Sequence, residues 1–453
     1  MTTDRTTSID QLLSPSNGAL DSWRVLSVLK VLGPISLLIG FFLGTPVFGQ
    51  IPDASGVALG LGDNFTALAR GRNAVSWNPA GLGLSGSPWF SISVAPLRGT
   101  GAIGPVGPKD LVEVGERLMT HQEKTHWLER IGKMGRQRGT LGLDATYLSL
   151  NLGRIGFQLS TRGAANLDLS PGAAELLLFG NAGLTGEPRR FTFDDSGFTV
   201  ALTSTAALSY GHPLELIAGH ELALGITLKY TIGHALLSGQ DRGSFFDNDP
   251  LSTAITFPIV HTDTTGQLNN GQGFGLDLGA AWSMGPFRAG LALQNLINTF
   301  SWDEANLFYN SGSAIVTSDT TGSDFESRHI SEASPLIRTE AKRLAEDSKY
   351  RPQLALGAAY TPIEGLTLVG ELRHRWGEVI RAESATHLGL GAEYRLLSFL
   401  PIRGGLARIE GGHQVSGGIG LEFGIIEIGL SGAVRGGDAG EGGIGMFVVS
   451  FGR

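Results

Sequence analysis

Residues 198–210 read FTVALTSTAALSY, and residues 222–232 read LALGITLKYTI. In the first run Phe198, Val200, Leu202, Ala206, Leu208 and Tyr210 form an apolar face against Thr199, Ala201, Thr203, Thr205 and Ser209. In the second, Leu222, Leu224, Ile226, Leu228, Tyr230 and Ile232 alternate with Ala223, Gly225, Thr227, Lys229 and Thr231. A period of two is that of a β-strand, whose successive side chains point to opposite faces. A soluble β-sandwich alternates as well. These runs are longer and more complete, and aromatics stand at run ends (Tyr210, Tyr230, Tyr360, Trp376, Tyr394). Long apolar-out strands with aromatic girdles are the pattern of a transmembrane β-barrel.

The same reading carried along the chain predicts strands near 88–96, 143–152, 155–163, 197–209, 221–234, 273–283 and 287–296. Seven more are predicted near 351–361, 365–376, 386–396, 401–408, 413–423, 426–435 and 444–452. The connections up to residue 364 then alternate between long (97–142, 164–196, 235–272, 297–350) and short (153–154, 210–220, 284–286, 362–364). That alternation is expected of a barrel with short turns at one rim and long outer loops at the other. Ser252 to His261 looks like a further strand, but counting it would move the turn at Met284-Gly285-Pro286 to the wrong rim. It is therefore assigned to an outer loop, as a hairpin arm above the barrel. The expected fold is all-β: an antiparallel barrel of about fourteen strands, an even number that lets it close. Gly445, Phe447, Val449 and Phe451 alternate to the C-terminus, although the last residue is Arg453 rather than an aromatic.

Composition agrees. Of 453 residues, 17% are charged, against ~25% in a soluble domain. The 67 glycines have no collagen-like period; they suit strands that bend or let another backbone approach closely. A net charge of −8 argues against a nucleic-acid partner, and the absence of Cys excludes disulfides and thiolate metal sites. At the N-terminus, Arg24 and Lys30 precede an apolar run from Val31 to Gly44, and Val47-Phe48-Gly49 fits a cleavage site before Gln50. Residues 1–49 are read as a signal peptide, too short in its apolar part to cross ~30 Å of hydrocarbon comfortably. Residues 50–87 form an N-terminal hatch folded into the lumen, and 88–453 form the barrel with its long extracellular loops. The alternate strand faces place Lys229, Asp277, Arg288, Glu371, Arg373, Arg375, Glu393 and Glu422 toward the lumen, with Gln294, His387 and Glu427. Both signs are mixed, so no simple ion filter stands out. Glu371, Arg373 and Arg375 share one strand face and are expected to pair with Glu393 or Glu422, holding a plug rather than a substrate.

The segment Gly60-Leu61-Gly62-Asp63-Asn64-Phe65-Thr66-Ala67-Leu68-Ala69-Arg70-Gly71, followed by Asn73-Ala74-Val75-Ser76-Trp77-Asn78-Pro79-Ala80-Gly81-Leu82, resembles the N-terminal hatch of the long-chain fatty-acid transporter (FadL) superfamily and its PorV-like sister barrels. The resemblance implies a fourteen-stranded barrel with Trp77, Asn78, Pro79 and Ala80 in a luminal hatch. Segments such as 178–181 and 293–300 set the chain on a branch apart from the fatty-acid transporters themselves, and no carboxylate site transfers residue by residue.

Two apolar stretches fall in outer loops. One is an amphipathic helix over 109–138, with Leu111, Val114, Leu118, Leu128 and Ile131 at helical spacing. Its Lys124, Arg130, Lys133, Arg136 and Arg138 could face lipopolysaccharide, or the helix could simply pack on neighbouring loops. The other is a helix within 167–184. Catalytic motifs are absent: His220-Glu221 lacks a second His, no Gly-x-Ser-x-Gly elbow occurs, and His374 and His387 have no evident Ser partner. The expected function is transport of hydrophobic small molecules such as fatty acids across the bacterial outer membrane, without a cofactor or metal. The alternative is a non-transporting barrel that serves as a partner in protein secretion or surface attachment.

Overall fold

In the computed structural model the described residues are 55–452, apart from 188, 249–250, 264–267, 318–319, 377–384 and 438–440. The signal-peptide reading of 1–49, the first hatch residues and Arg453 lie outside them. The barrel strands are β1 (Phe90–Val94 and Leu97–Gly104), β2 (Gln137–Leu152), β3 (Ile155–Leu169), β4 (Gly197–Leu214) and β5 (Glu221–Gln240). They continue as β6 (Gly271–Met284), β7 (Phe287–Asn298), β8 (Gln353–Ile363), β9 (Leu366–Arg375) and β10 (Thr386–Leu397). The last are β11 (Leu400–Ile409), β12 (Gly412–Phe423), β13 (Ile426–Gly437) and β14 (Glu441–Gly452). Each pairs antiparallel with the next. β1 returns to β14 through Ser91↔Gly452 and Leu97↔Phe447, which closes the barrel at fourteen strands. Closure leaves no unpaired edge, which hydrocarbon would not tolerate.

The turns at 153–154, 215–220, 285–286, 364–365, 398–399 and 424–425 lie at one rim with both ends of the barrel chain; the long loops rise from the other. Period-two alternation sorts the side chains. Leu208, Leu228, Leu356, Leu388, Leu406 and Phe447 are exposed on the outer wall, while Ser149, Gln158, Thr227, Gln353 and Gln414 are buried inside. Aromatics mark the turn rim: Trp89 is exposed, and the Phe287–Tyr360 and Phe399–Phe423 rings stack at 4.7 and 5.3 Å.

Several strands outrun their expected limits. β5 reaches Gln240, β3 reaches Leu169, and β1 continues past Ala95-Pro96 to Gly104. The reading stopped where a proline or a run of small residues blurred the alternation, although the ladder continues beyond. Ser252 to His261 does not enter the barrel. Leu251–Thr256 joins a separate five-stranded sheet with Phe191–Thr192, Phe245–Asn248, Ser313–Val316 and Thr321–Asp324. Ile259–Thr262 pairs with the loop end of β5 and with Leu307–Asn310.

The helix expected over 109–138 is two. α2 (Pro108–Val114) ends at Gly115, whose φ of 56° takes the chain out of the helix. α3 (His121–Met134) starts afresh on a capping box in which Thr120 and Glu123 satisfy each other's backbone N–H. Between 167 and 184 a helix spans Pro171–Phe179, with residues up to Leu169 still in β3. A further helix, Pro335–Asp347, packs Ala341 and Ala345 over the loop end of β5. There Leu236, Phe300, Trp302, Leu307 and Tyr350 are buried.

Candidate functional site

Residues 55–87 run inside the barrel. A short helix, α1 (Gly56–Gly60), is followed by 3-10 turns at Gly71–Val75 and Pro79–Gly83. A segment this short cannot build its own core, so it borrows the wall. Its apolar side chains Leu61, Phe65, Ala67, Ala69 and Trp77 pack together against Val369 and Ala359. Its backbone lies against wall positions that have no side chain. Gly211, Gly225 and Gly279 are cross-strand neighbours, as are Gly290 and Gly357, and Gly391 and Gly405. A Cβ on Gly225 would stand 2.2 Å from the Ala80 nitrogen, one on Gly279 2.2 Å from Asn78 Oδ1, and one on Gly290 2.6 Å from the Thr66 oxygen. The glycine surplus thus has a location: an inward row that leaves room for the luminal segment.

One large side chain stands in that row. Glu371 sits in register between Gly357 and Gly389. Its Oε2 accepts hydrogen bonds from the Phe65 and Thr66 amides, both at 2.8 Å. Beside it, Arg373 Nη2 donates to the Asp63 carbonyl at 2.7 Å, and its guanidinium lies 5.1 Å from the Trp77 ring centre. Phe65 meets Trp77 edge-on at 5.8 Å. Asn78 is buried and caps the Pro79–Gly83 turn by accepting from Ala80 N at 3.2 Å. Its Nδ2 donates to the Ala280 carbonyl of β6 at 3.0 Å, tying the turn to the wall. Pro79 and Ala80 are buried against β5 and β6. Gln294 Nε2 donates to the Ser76 carbonyl at 2.7 Å, and His387 Nε2 lies 3.0 Å from Asn64 Oδ1.

The strongest anchor was not read from the sequence. Asp63 accepts a forked pair from Arg98 at 2.8 and 3.1 Å and a third bond from Gln414 at 3.2 Å. Burial works against its charge. Arg98, with Arg373 and Arg435 beyond, nevertheless holds the carboxyl well below the usual range. Arg98 stands on the continuation of β1 past Pro96, beyond the strand expected near 88–96. A second pair, Arg72 with Glu427 at 2.7 Å, ties the segment to β13.

The remaining luminal residues fall into separate groups. Glu393 and Glu422 do not meet Glu371, Arg373 or Arg375, contrary to expectation. They pair instead with Arg403 and Arg395, at 2.7 and 2.6 Å, near the turn rim. The strands are staggered, so the shared face of β9 meets the luminal segment while Glu393 and Glu422 lie lower. These pairs line a polar vestibule of about 460 Å³ beneath the segment, with Arg70, Arg72 and Glu427. Arg288 lies on β7 opposite Ala359, with no carboxylate within 4 Å among the described residues. Arg375 is buried farther toward the loops, in register with Gln353. Lys229 and Asp277 form a fully buried pair at 2.5 Å, and Asp277 also accepts from the Asn295 amide at 2.6 Å. Asn295 has φ 62° at an irregularity in β6–β7 pairing, so this pair pins a wall distortion. Among the described residues no group of His, Asp and Glu is arranged to hold a metal.

The arrangement is a closed barrel whose lumen is obstructed by its own N-terminal segment. It is similar to a TodX ΔS2S3 mutant titled a monoaromatic hydrocarbon channel, at 11% identity over 89% of this chain and 99% of that one, with a TM-score of 0.51. Weaker similarity extends to the Pseudomonas putida toluene transporter TodX (11% identity, 90% and 99% covered, TM-score 0.45). A Pseudomonas aeruginosa FadL homologue gives 12% identity, 89% and 99% coverage and a TM-score of 0.43. The fold is therefore the FadL-like barrel that residues 60–82 pointed to. No curated protein sequence matches the chain. A family model described as "F plasmid transfer operon, TraF, protein" matches residues 128–370, just over half of the sequence, and the chain belongs to that family.

Proposed function

We propose that this protein is an outer-membrane channel for hydrophobic small molecules, in which residues 55–87 act as the gate. The observation that carries the reading is the glycine row with Glu371 at its centre. The wall is shaped to hold the segment and grips it through discrete hydrogen bonds to Phe65, Thr66 and Asn78. A filler needed only for stability could be replaced by larger luminal side chains; a separately tethered segment can be released. The likeness to a barrel titled a hydrocarbon channel supports the ligand class, and fatty acids are one member of it. Basic residues on α3, among them Lys124 and Lys133, would face lipopolysaccharide above the loop rim, whereas Arg130 is held within the loop by Asp110 and the Pro105 carbonyl.

A second reading is a non-transporting barrel that serves a transfer or secretion assembly. The description of its family, as a protein of a plasmid transfer operon, favours it, as does the apolar lid of Phe300, Trp302, Leu307 and Tyr350 over the loop end. Native mass spectrometry of protein extracted gently from outer membranes separates the two. A lipid-sized mass that delipidation removes supports the channel. A stoichiometric protein companion without a small ligand supports the partner barrel and overturns the channel.

A further inference from the structure

Outward positions of β3 and β4 are apolar along most of their length: Ile155, Leu159, Leu167, Leu202, Leu208 and Tyr210 are all exposed to the surroundings of the barrel. Thr161 and Ser204 break this wall at the same rung, directly paired across the two strands. Each lies six residues beyond the rung Ile155↔Tyr210, about 20 Å along the strand at ~3.3 Å per residue. Leucines flank them on both sides, while the connection that follows β5, with the start of β6, brings the exposed Asn269 and Gln272 beside His234. Asn270 N donates to the Gly233 carbonyl, so the pair lies where the apolar wall meets the polar loop rim. Half-buried hydroxyls on such a wall are costly unless they satisfy one another or serve a purpose.

Two strand irregularities converge on this spot. The β4–β5 register shifts between Leu202 and Thr203, and His234 is the residue of β5 left without a partner. The β2–β3 register shifts at Thr146/Leu148, which leaves Tyr147 in the same condition. Bulges re-aim side chains. Here His234 Nε2 comes within 2.7 Å of Ser204 Oγ, and its Nδ1 lies 2.6 Å from the Leu268 carbonyl. That carbonyl can only accept, so Nδ1 carries the proton and Nε2 is free to accept from Ser204. Behind Ser204, Thr161 Oγ1 lies 2.5 Å from its Oγ, and Tyr147 OH donates to Thr161 at 3.0 Å. One donor assignment satisfies the whole chain: Tyr147 to Thr161, Thr161 to Ser204, Ser204 to His234, His234 to the Leu268 carbonyl.

We propose that Ser204 and His234 form an acyl-transfer site opening sideways to the bilayer, with the ester of a membrane acyl chain as substrate. Ser204 is the nucleophile and His234 the base, held in the productive tautomer by a backbone carbonyl. As Oγ bonds to the ester carbonyl carbon, its proton passes to His234 Nε2. Collapse of the tetrahedral adduct breaks the ester C–O bond, and the leaving alcohol takes that proton. Water then attacks the acyl-serine with His234 again as base, releasing the carboxylic acid and restoring the Ser204 hydroxyl. Once Ser204 Oγ is acylated, Thr161 is released from it and is the nearest hydroxyl to the developing oxyanion. Sequence gave no sign of the pair, because thirty residues separate its members and neither belongs to a motif.

The test uses the mature full-length protein in detergent with diacyl phosphatidylglycerol, treated with an alkyl fluorophosphonate and analysed by peptide mass spectrometry. The expected result is an adduct on Ser204 and release of free fatty acid. Both should be lost in Ser204→Ala and slowed about 10²- to 10⁴-fold in His234→Asn, the range for loss of a general base. Heat-dependent gel mobility reports whether each variant keeps its barrel. The rate of labelling of the native protein should also rise with pH as a single base loses its proton, which needs no variant to fold. An unlabelled native protein, fatty-acid release that survives in Ser204→Ala, or a pH-independent labelling rate would overturn the proposal.

Discussion

Replacing Glu371 by Ala removes the carboxylate that holds the luminal segment by its backbone. Its Oε2 lies 2.8 Å from two amide nitrogens, those of Phe65 and Thr66, in a place where Glu371 is 3% exposed. The wall residues beside it in register are Gly357 and Gly389, so no neighbour can supply a substitute oxygen. Each buried N–H left without an acceptor costs about 1–3 kcal/mol, or about 2–6 kcal/mol for the two. Burying the carboxylate is itself unfavourable, which offsets part of the loss and favours the lower half of that range. At about 1.4 kcal/mol per factor of ten, the undocked population rises about 30-fold to several hundred-fold. Glu371→Gln keeps a side-chain oxygen and should shift docking by less than about tenfold, the loss of charge assistance alone. Hydrogen exchange at the Phe65 and Thr66 amides, followed in detergent with gel mobility as the control for barrel integrity, reads this directly. If both amides exchange at the native rate in Glu371→Ala while the barrel stays folded, the reasoning about this anchor fails.

Three further outcomes follow from the same geometry. Gly279→Val puts a branched side chain where a Cβ already meets Asn78 Oδ1 at 2.2 Å; the barrel should still close, but protease added to the protein should cut within 55–87 where the native segment resists. Lys229→Met leaves Asp277 buried without its cation and should lower unfolding stability by about 3–5 kcal/mol in a urea titration, whereas Lys229→Met with Asp277→Leu should recover most of it. Asn78→Ala loses the cap on Ala80 and the bond to the Ala280 carbonyl and should weaken docking by about 0.5–2 kcal/mol, visible as faster exchange at Ala80 and Gly81 with no change in the wall.

The barrel was legible because its outer wall has a physical rule that leaves a trace in one strand at a time. Lipid on one side and a polar lumen on the other impose period two, and the turn rim imposes loop parity. That was enough to keep Ser252–His261 out of the count. The anchors left no such trace. Glu371 and Phe65 are 306 positions apart, and nothing local in either segment names the other. Charges could be assigned to the luminal face but not paired, since pairing depends on how strands are staggered around the barrel. Hence the expected partners of Glu393 and Glu422 differ from the observed Arg403 and Arg395, and Arg98 falls in an expected loop. Glycine shows the same division: its abundance is plain in the sequence, but that Gly225 and Gly290 face a backbone while Gly404 and Gly445 face open space is visible only in register. Gly115 stood in view within the expected helix over 109–138, and the apolar spacing around it was read straight through a helix terminator.

The central claim is that the segment docked in the lumen is what closes this barrel. Conductance in planar lipid bilayers, compared between the native protein and a variant lacking residues 50–87, tests it most directly. The account predicts a native barrel that is closed or flickers briefly, and a deletion variant with a steady open conductance. A folded deletion variant as closed as the native protein would contradict it, and would leave the loop-side lid as the seal.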